Sequence, residues 1–174
     1  MAIRKEDART DPIRPEDTMF HFHADQQKLK CFHGNGMMQW WVTAKGIGSR
    51  MDFGVNGNTP PGLYELEQPQ PISPRDEKAP ALGLWFVPLK PFISHDCVKF
   101  GRKDIGIHGG GSDLPQPLAP RQGWESTLGC IRVQNQDLLR VTTAVANALG
   151  KGHHAWLLVS WIEFVAGRQQ IRSY

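Results

Sequence analysis

No stretch of this 174-residue chain reaches the roughly 18 apolar residues that a membrane-crossing helix needs, so membrane insertion is not expected. Residues 1–18 have no apolar run of the secretory type, so no Sec signal is visible there. Cysteine is scarce. Cys31, Cys97 and Cys130 are odd in number and show no C-x-x-C spacing, which excludes a zinc knuckle and a dense disulfide framework. Charge of one sign is never concentrated: the net charge is +3 and the pI about 8.9, but acids and bases alternate along the chain, and nucleic acid is not an expected partner. No internal repeat is present. The glycine run 109–111 lacks the Lys-Ser or Lys-Thr pair of a phosphate loop, which excludes nucleotide binding there.

What is abundant is turn chemistry, with 18 glycines and 13 prolines. These residues punctuate short apolar or alternating runs at 19–24, 29–33, 38–43, 62–67, 83–87, 98–100 and 105–108, each of which predicts a strand. The first two runs, separated by Asp25-Gln-Gln, predict a hairpin. One helix is expected from Asn135 as N-cap to Gly150, with Leu138, Leu139, Val145 and Leu149 on its apolar face. The nearly continuous apolar run in 155–165 predicts a last strand buried on both faces. The fold class is mostly β (α+β), a mixed or antiparallel β-sandwich or open barrel with one principal helix. Residues 1–18, dense in both charges, predict a mobile arm or surface strap, and residues 19–174 a single domain. Two loops, 68–82 and 109–123, are rich in Pro or Gly and long enough to serve a site.

The chemistry-bearing residues flank the second loop. His108 ends the apolar run Ile105-Gly-Ile and meets three glycines, and Cys130 follows Gly129 and precedes Ile131-Arg-Val. A thiol attacks carbonyl carbon as thiolate, and an unperturbed cysteine titrates at about 8.5, so a neighbouring imidazole is the usual activator. Gly129 has no side chain to keep an oxyanion away from the backbone amides at Cys130. The bland alternatives are a buried structural thiol and a loop histidine. His21, His23 and His33 suggest a metal only superficially, because no carboxylate or cysteine cluster completes the set; no metal and no cofactor are expected. His95-Asp96-Cys97, if in a strand, point to opposite faces. Trp40, Trp41, Trp85 and Tyr64 fit core packing better than a peptide or sugar platform.

His108, then Thr127-Leu128-Gly129-Cys130-Ile131-Arg132 after an eighteen-residue gap, together with Asn58-Thr59-Pro60-Pro61-Gly62 and Trp85-Phe86 upstream, resembles the L,D-transpeptidase (YkuD-like) catalytic domain over residues 19–137. The resemblance implies a cysteine-dependent acyl transfer on peptidoglycan tetrapeptide stems, with attack on the bond between residues 3 and 4 and release of D-alanine. It implies Cys130 as nucleophile, His108 as base, Gly129 and Gly109 as backbone of the site, and Thr127 and Arg132 as substrate-binding residues. A carbonyl of Gly109 or Gly110 is expected to set the imidazole tautomer. Thr127 is open between turn bonding and catalysis, and Arg132 between a substrate carboxylate and an ion pair with Glu125 or Asp137. Leu128 stands where many members have a second histidine, which bears on substrate preference.

The implied place of action is the periplasm or cell wall. Without a visible leader, the chain resembles members delivered to other bacteria by contact-dependent secretion, with an immunity protein or secretion-system component as partner. Two alternatives come from other classes: another cysteine hydrolase or amidase pairing Cys130 with His153 or His154, and a catalytically inactive wall-binding module. A strand-like run after Cys130 and a histidine before it both disfavour the hydrolase.

Overall fold

A computed structural model describes residues 13–165 and 168–172. The elements are β1 (Thr18–His23), β2 (Lys28–His33), β3 (Met38–Lys45), β4 (Gly62–Leu66), β5 (Gln70–Pro71), α1 (Ala79–Leu82), β6 (Trp85–Ile93), α2 (His95–Lys99), β7 (Gly106–His108), β8 (Ile131–Val133), α3 (Asn135–Gly150), β9 (Ala155–Val165) and β10 (Arg168–Arg172). Neighbours run β1-β2-β3-β8-β7-β6-β4-β9, and β9 returns to pair with β1, so eight strands close into a ring. Two pairings are parallel, β7 with β8 and β9 with β1. The mostly β class with one main helix is thus observed, in the form of a closed barrel-like sheet.

Alternation places the core. Along β1 and β2, Phe20, Phe22, Leu29 and Cys31 are fully buried while the residues between them are partly exposed, as the two-residue period of a strand requires. Val87, Ile107, Ile131, Val133 and Leu157 join the same cluster, and α3 adds Leu138, Val141 and Val145. Burying each such side chain stabilises the fold by about 1.5–3 kcal/mol. Leu139, expected on the apolar face of α3, is 59% exposed. The stripe that packs is 138, 141, 145, 148.

Three local expectations are corrected. Residues 98–100 are not a strand: Ser94 caps α2, its Oγ accepting from Cys97 N at 3.3 Å, and Asp96 lies in the first turn. These start signals outweigh a short apolar run. His95, Asp96 and Cys97 therefore lie on a helical turn. The 83–87 strand begins at Trp85 and continues to Ile93, because Gly83, at φ 73°, ends α1 inside the first long loop. Finally, Asn135 is the first residue of α3 and Gln134 takes the cap position; the Asn135 side chain is engaged elsewhere, as shown below.

Of the 1–18 segment, residues 1–12 lie outside the described residues. Asp17, buried, accepts hydrogen bonds from Arg14 N (2.9 Å), His154 N (2.9 Å) and Trp156 Nε1 (3.1 Å). It ties the entry to β1 onto the start of β9. Burial acts to raise its carboxyl pKa, but the three donors and the nearby His154 outweigh it and leave the net value lowered. A depressed folded pKa gives stability that is present above the unfolded value and lost as pH falls through the folded one. Asp17→Ala orphans buried donors at an expected cost of about 3 kcal/mol, measurable by denaturant unfolding at pH 7. The difference from wild type shrinks as pH approaches 3; a constant difference overturns the linkage.

Candidate active site

The register of β7 and β8 assembles the site. The two short strands run parallel with Ile107 opposite Ile131 and His108 opposite Arg132. Ile107 and Ile131 face the core, so alternation puts His108 and Arg132 on the opposite face. Cys130 immediately precedes β8 and is partly buried, packed in part against the core. The thiol leans toward the start of β7, with Sγ 3.9 Å from Asp104 O and the Gly106 N–H beside it. The fold thus brings His108 and Arg132, far apart in sequence, into register, with Cys130 at the entry to the same strand as Arg132.

The imidazole is fixed from below. His108 is buried, and Nδ1 lies 2.7 Å from the Gly109 carbonyl oxygen. A carbonyl only accepts, so Nδ1 carries the proton and Nε2 is left as the acceptor nitrogen. Phe86, register partner of His108 on β6, lies stacked with the ring at a centroid distance of 6.3 Å. Burial, then the Arg132 charge, pull the imidazole down to about 4, against the Gly109 bond. Cys130 keeps part of its surface accessible, yet its crowded setting raises the thiol pKa. The Gly106 N–H and the charges of Arg102 and Arg132 work against that rise, and Asp104 reinforces it. The resting pair is therefore neutral thiol and neutral imidazole, because desolvation disfavours the charged form of each.

The turn carrying Cys130 is held by side chains. Thr127 Oγ1 accepts from Gly129 N (3.1 Å) and donates to Cys130 O (2.8 Å), and Thr59 Oγ1 lies 3.3 Å from the same carbonyl. Thr127 N donates to Ile47 O, completing a bridge between Gly48 and Thr127. Gly129 adopts φ 106°, and a Cβ there would collide with the Arg102 guanidinium. Its N–H, expected to face an oxyanion, is already donated to Thr127. The Gly109 N–H is likewise donated, to Leu82 O at 3.0 Å. Arg132 Nη2 pairs with Glu125 Oε1 (3.2 Å) and Nη1 with Glu125 O (3.1 Å), while the buried Nε has no partner. Of the alternatives for Arg132, the Glu125 pair is the one formed, and Thr127 bonds the turn.

The loop 109–123 is tethered at several points. Asn135 Oδ1 accepts from Gly110 N (3.0 Å), and Asn135 Nδ2 donates to Pro117 O (2.8 Å) and Ala119 O (2.7 Å). Gln122 donates to Val133 O and accepts from Asn135 N. A Cβ on Gly109 would collide with Asn135 Oδ1, so glycine there lets α3 approach the base. Sequence reasoning missed Arg102, Gln122 and the working role of Asn135. Only Asn135 left a signal, a polar residue between a strand and an amphipathic run, and that signal resembles a cap.

Elsewhere, the other chemistry-bearing residues are apart from this face. Cys31 and Cys97 are buried free thiols, and Tyr64 OH lies 3.2 Å from Cys97 Sγ within the core. His21 and His23 stack with ring centroids 3.5 Å apart, and His21 Nε2 meets Ser160 Oγ at 2.8 Å. His154 pairs with Glu65 at 3.0 Å. Among the described residues no group of three or more His, Cys, Asp or Glu is placed to hold a metal ion, and no helix is long and apolar enough to cross a membrane.

A closed mixed β-barrel with one main helix packed on its core, in which His108 ends one of two adjacent parallel strands and Cys130 immediately precedes the other, is the architecture of an L,D-transpeptidase-type domain. The family model for the YkuD L,D-transpeptidase catalytic domain matches residues 18–150, and the chain belongs to that family. Its architecture is similar to that of Bd1075 from Bdellovibrio bacteriovorus, at 17% identity and a TM-score of 0.56 over 90% of this chain and 50% of that one. It is also similar to the helical cell shape determining protein Pgp2 from Campylobacter jejuni, at 18% identity and a TM-score of 0.55 over 90% and 50%. At these identities the likeness is one of fold, and the chain spans about half the length of either protein. No match was found among curated protein sequences.

Proposed function

We propose that this domain is a cysteine acyltransferase of peptidoglycan stem peptides, with L,D-transpeptidase or L,D-carboxypeptidase outcome. The observation that carries the proposal is the parallel pairing of β7 with β8, which sets His108, its Nδ1 bound to the Gly109 carbonyl, opposite Arg132, with Cys130 directly before β8 and its thiol at the start of β7. Membership of the family supplies the substrate class. Cys130 Sγ attacks the carbonyl between residues 3 and 4 of a tetrapeptide stem, and its proton passes to His108 Nε2. The C–N bond breaks, that proton goes to the departing D-alanine nitrogen, and a thioester remains. An acceptor amine then yields a cross-link or an exchanged stem, and water yields a tripeptide.

The donors engaged by Thr127 shape the rest of the mechanism. With the Gly129 N–H occupied, the Cys130 amide and the Gly106 edge of β7 are the backbone donors proposed to face the oxyanion. Thr127 supports the nucleophile's turn, and Arg132 with Glu125 supports the segment leading into it. The test is incubation with purified tetrapeptide muropeptides, following D-alanine release and new cross-links by mass spectrometry. Equal behaviour of wild type and a Cys130 variant rules the proposal out.

The neutral resting pair fixes a pH signature. With His108 at about 4, kcat/KM for D-alanine release is expected to stay level from neutral pH to about pH 5 and to fall through an acid limb near the imidazole's own value. An acid limb at about pH 6.5, the ordinary histidine value, contradicts the buried, Arg132-facing environment.

A further inference from the structure

Beneath the Cys130 turn lies Arg102, buried at 8% exposure. Its Nη1 donates to the carbonyls of Phe53 (2.8 Å), Gly54 and Asn58 (3.3 Å), and its Nη2 to Leu128 O (2.9 Å). Two loops distant in sequence, 52–58 and 127–130, therefore converge on one guanidinium. Gly129 passes so closely over it that a Cβ there would meet the guanidinium, and the Arg102 N–H donates to Cys97 O of α2 at 2.9 Å. These hydrogen-bond partners are all neutral carbonyls, whereas Arg132 is paired with Glu125. Carbonyl dipoles solvate a cation without cancelling its charge, so the field of Arg102 reaches its neighbours at short range in a poorly hydrated setting. Of the charges acting on the Cys130 thiol, that of Arg102 is the largest, ahead of Arg132 and of the opposing Asp104.

We propose that Arg102 is the positioning residue of the nucleophile: it fixes the Leu128–Gly129–Cys130 backbone and lends the thiol a positive charge, held by neutral carbonyls, during its ionisation. The same charge favours the oxyanion formed on attack, a consequence that rests on the acyl-transfer proposal above.

The test uses the full chain carrying Arg102→Met or Arg102→Lys. Iodoacetamide alkylation of Cys130 is followed against pH by peptide mass spectrometry, with buried Cys31 and Cys97 as internal controls for folding. Arg102→Met is expected to slow alkylation at pH 7.5 about tenfold and to move the inflection upward, a factor that corresponds to about one pH unit. Arg102→Lys keeps the charge and loses the multiple carbonyl contacts. It is expected to alkylate within about threefold of wild type while kcat for D-alanine release falls about tenfold and KM holds. A purely structural role lowers the thermal midpoint and leaves the alkylation profile of folded Arg102→Met on that of wild type, which overturns the proposal. If Arg102→Met does not fold, Arg102→Lys decides alone, and an unchanged kcat overturns it. Should wild type release no D-alanine, the acyl-transfer proposal falls, and the alkylation profiles still judge Arg102.

Discussion

Cys130→Ser is expected to reduce D-alanine release from tetrapeptide muropeptides to background, and His108→Asn to reduce kcat by about 10²–10⁴-fold, the usual contribution of a positioned acid–base group. Both changes are nearly isosteric at the point that matters structurally. Serine keeps the size of the side chain but cannot ionise near neutral pH. Asparagine can place its amide where Nδ1 lies and keep the bond to Gly109 O, while lacking any nitrogen in the place of Nε2. Thermal midpoints are therefore expected to stay close to wild type, which separates lost chemistry from lost fold. Combined, the two substitutions should cost little more than Cys130→Ser alone, because groups acting as a unit are non-additive. Full additivity would sink the dyad.

Asn135→Ala is expected to have the next largest effect, and through a different route. One amide side chain holds Gly110 N at the start of the 109–123 loop and the Pro117 and Ala119 carbonyls in its middle. Its removal breaks three hydrogen bonds and leaves partly buried backbone groups without partners, at about 2 kcal/mol after water re-enters. The larger consequence falls on geometry. Gly109, whose carbonyl fixes the imidazole, is the residue before the one Asn135 holds, and a displacement of about 1 Å at a reacting group costs about 10²-fold. We expect kcat/KM to drop by about 10–100-fold and amide hydrogen exchange across residues 110–120 to accelerate. Asn135→Asp keeps the acceptor for Gly110 and sets a carboxylate against two carbonyls, so its exchange should accelerate selectively at 117–120. Unchanged exchange in both variants would show that the loop is held by other contacts.

The contrast between Asn135 and His108 shows where legibility ended. The place of His108 at a strand end is legible because a strand running into glycines is a local pattern, and that of Cys130 before a strand because a glycine, a thiol and an Ile-Arg-Val run are contiguous. Asn135 occupies the right place for an N-cap, and chain-local logic assigns it that task. Its actual partners lie 16 to 25 residues away, beyond any periodicity. Arg102 was less visible still: it follows a segment whose short apolar run reads as a strand, while the capping Ser94 that makes it a helix acts through one side-chain bond to Cys97 N. An arginine's reach admits both Glu125 and Asp137 as ion-pair partners, and only the folded position of Glu125 selects between those two.

The sequence alone determined the alternation that builds β1 and β2, the continuous apolar run of β9, the amphipathic length of α3, and the identity and order of the two residues proposed to carry the chemistry. These are properties of neighbouring residues, written in periods of 2 and 3.6. The tertiary structure decided that the sheet closes, through the parallel return of β9 to β1. It decided that His108 lies opposite Arg132, two residues after Cys130, through a two-pair register between three-residue strands. It also decided that the Gly129 amide is donated to Thr127 Oγ1. Each of those depends on strand register and on hydrogen-bond partners remote along the chain, and a polar group's availability is known only when every competing partner has been placed around it.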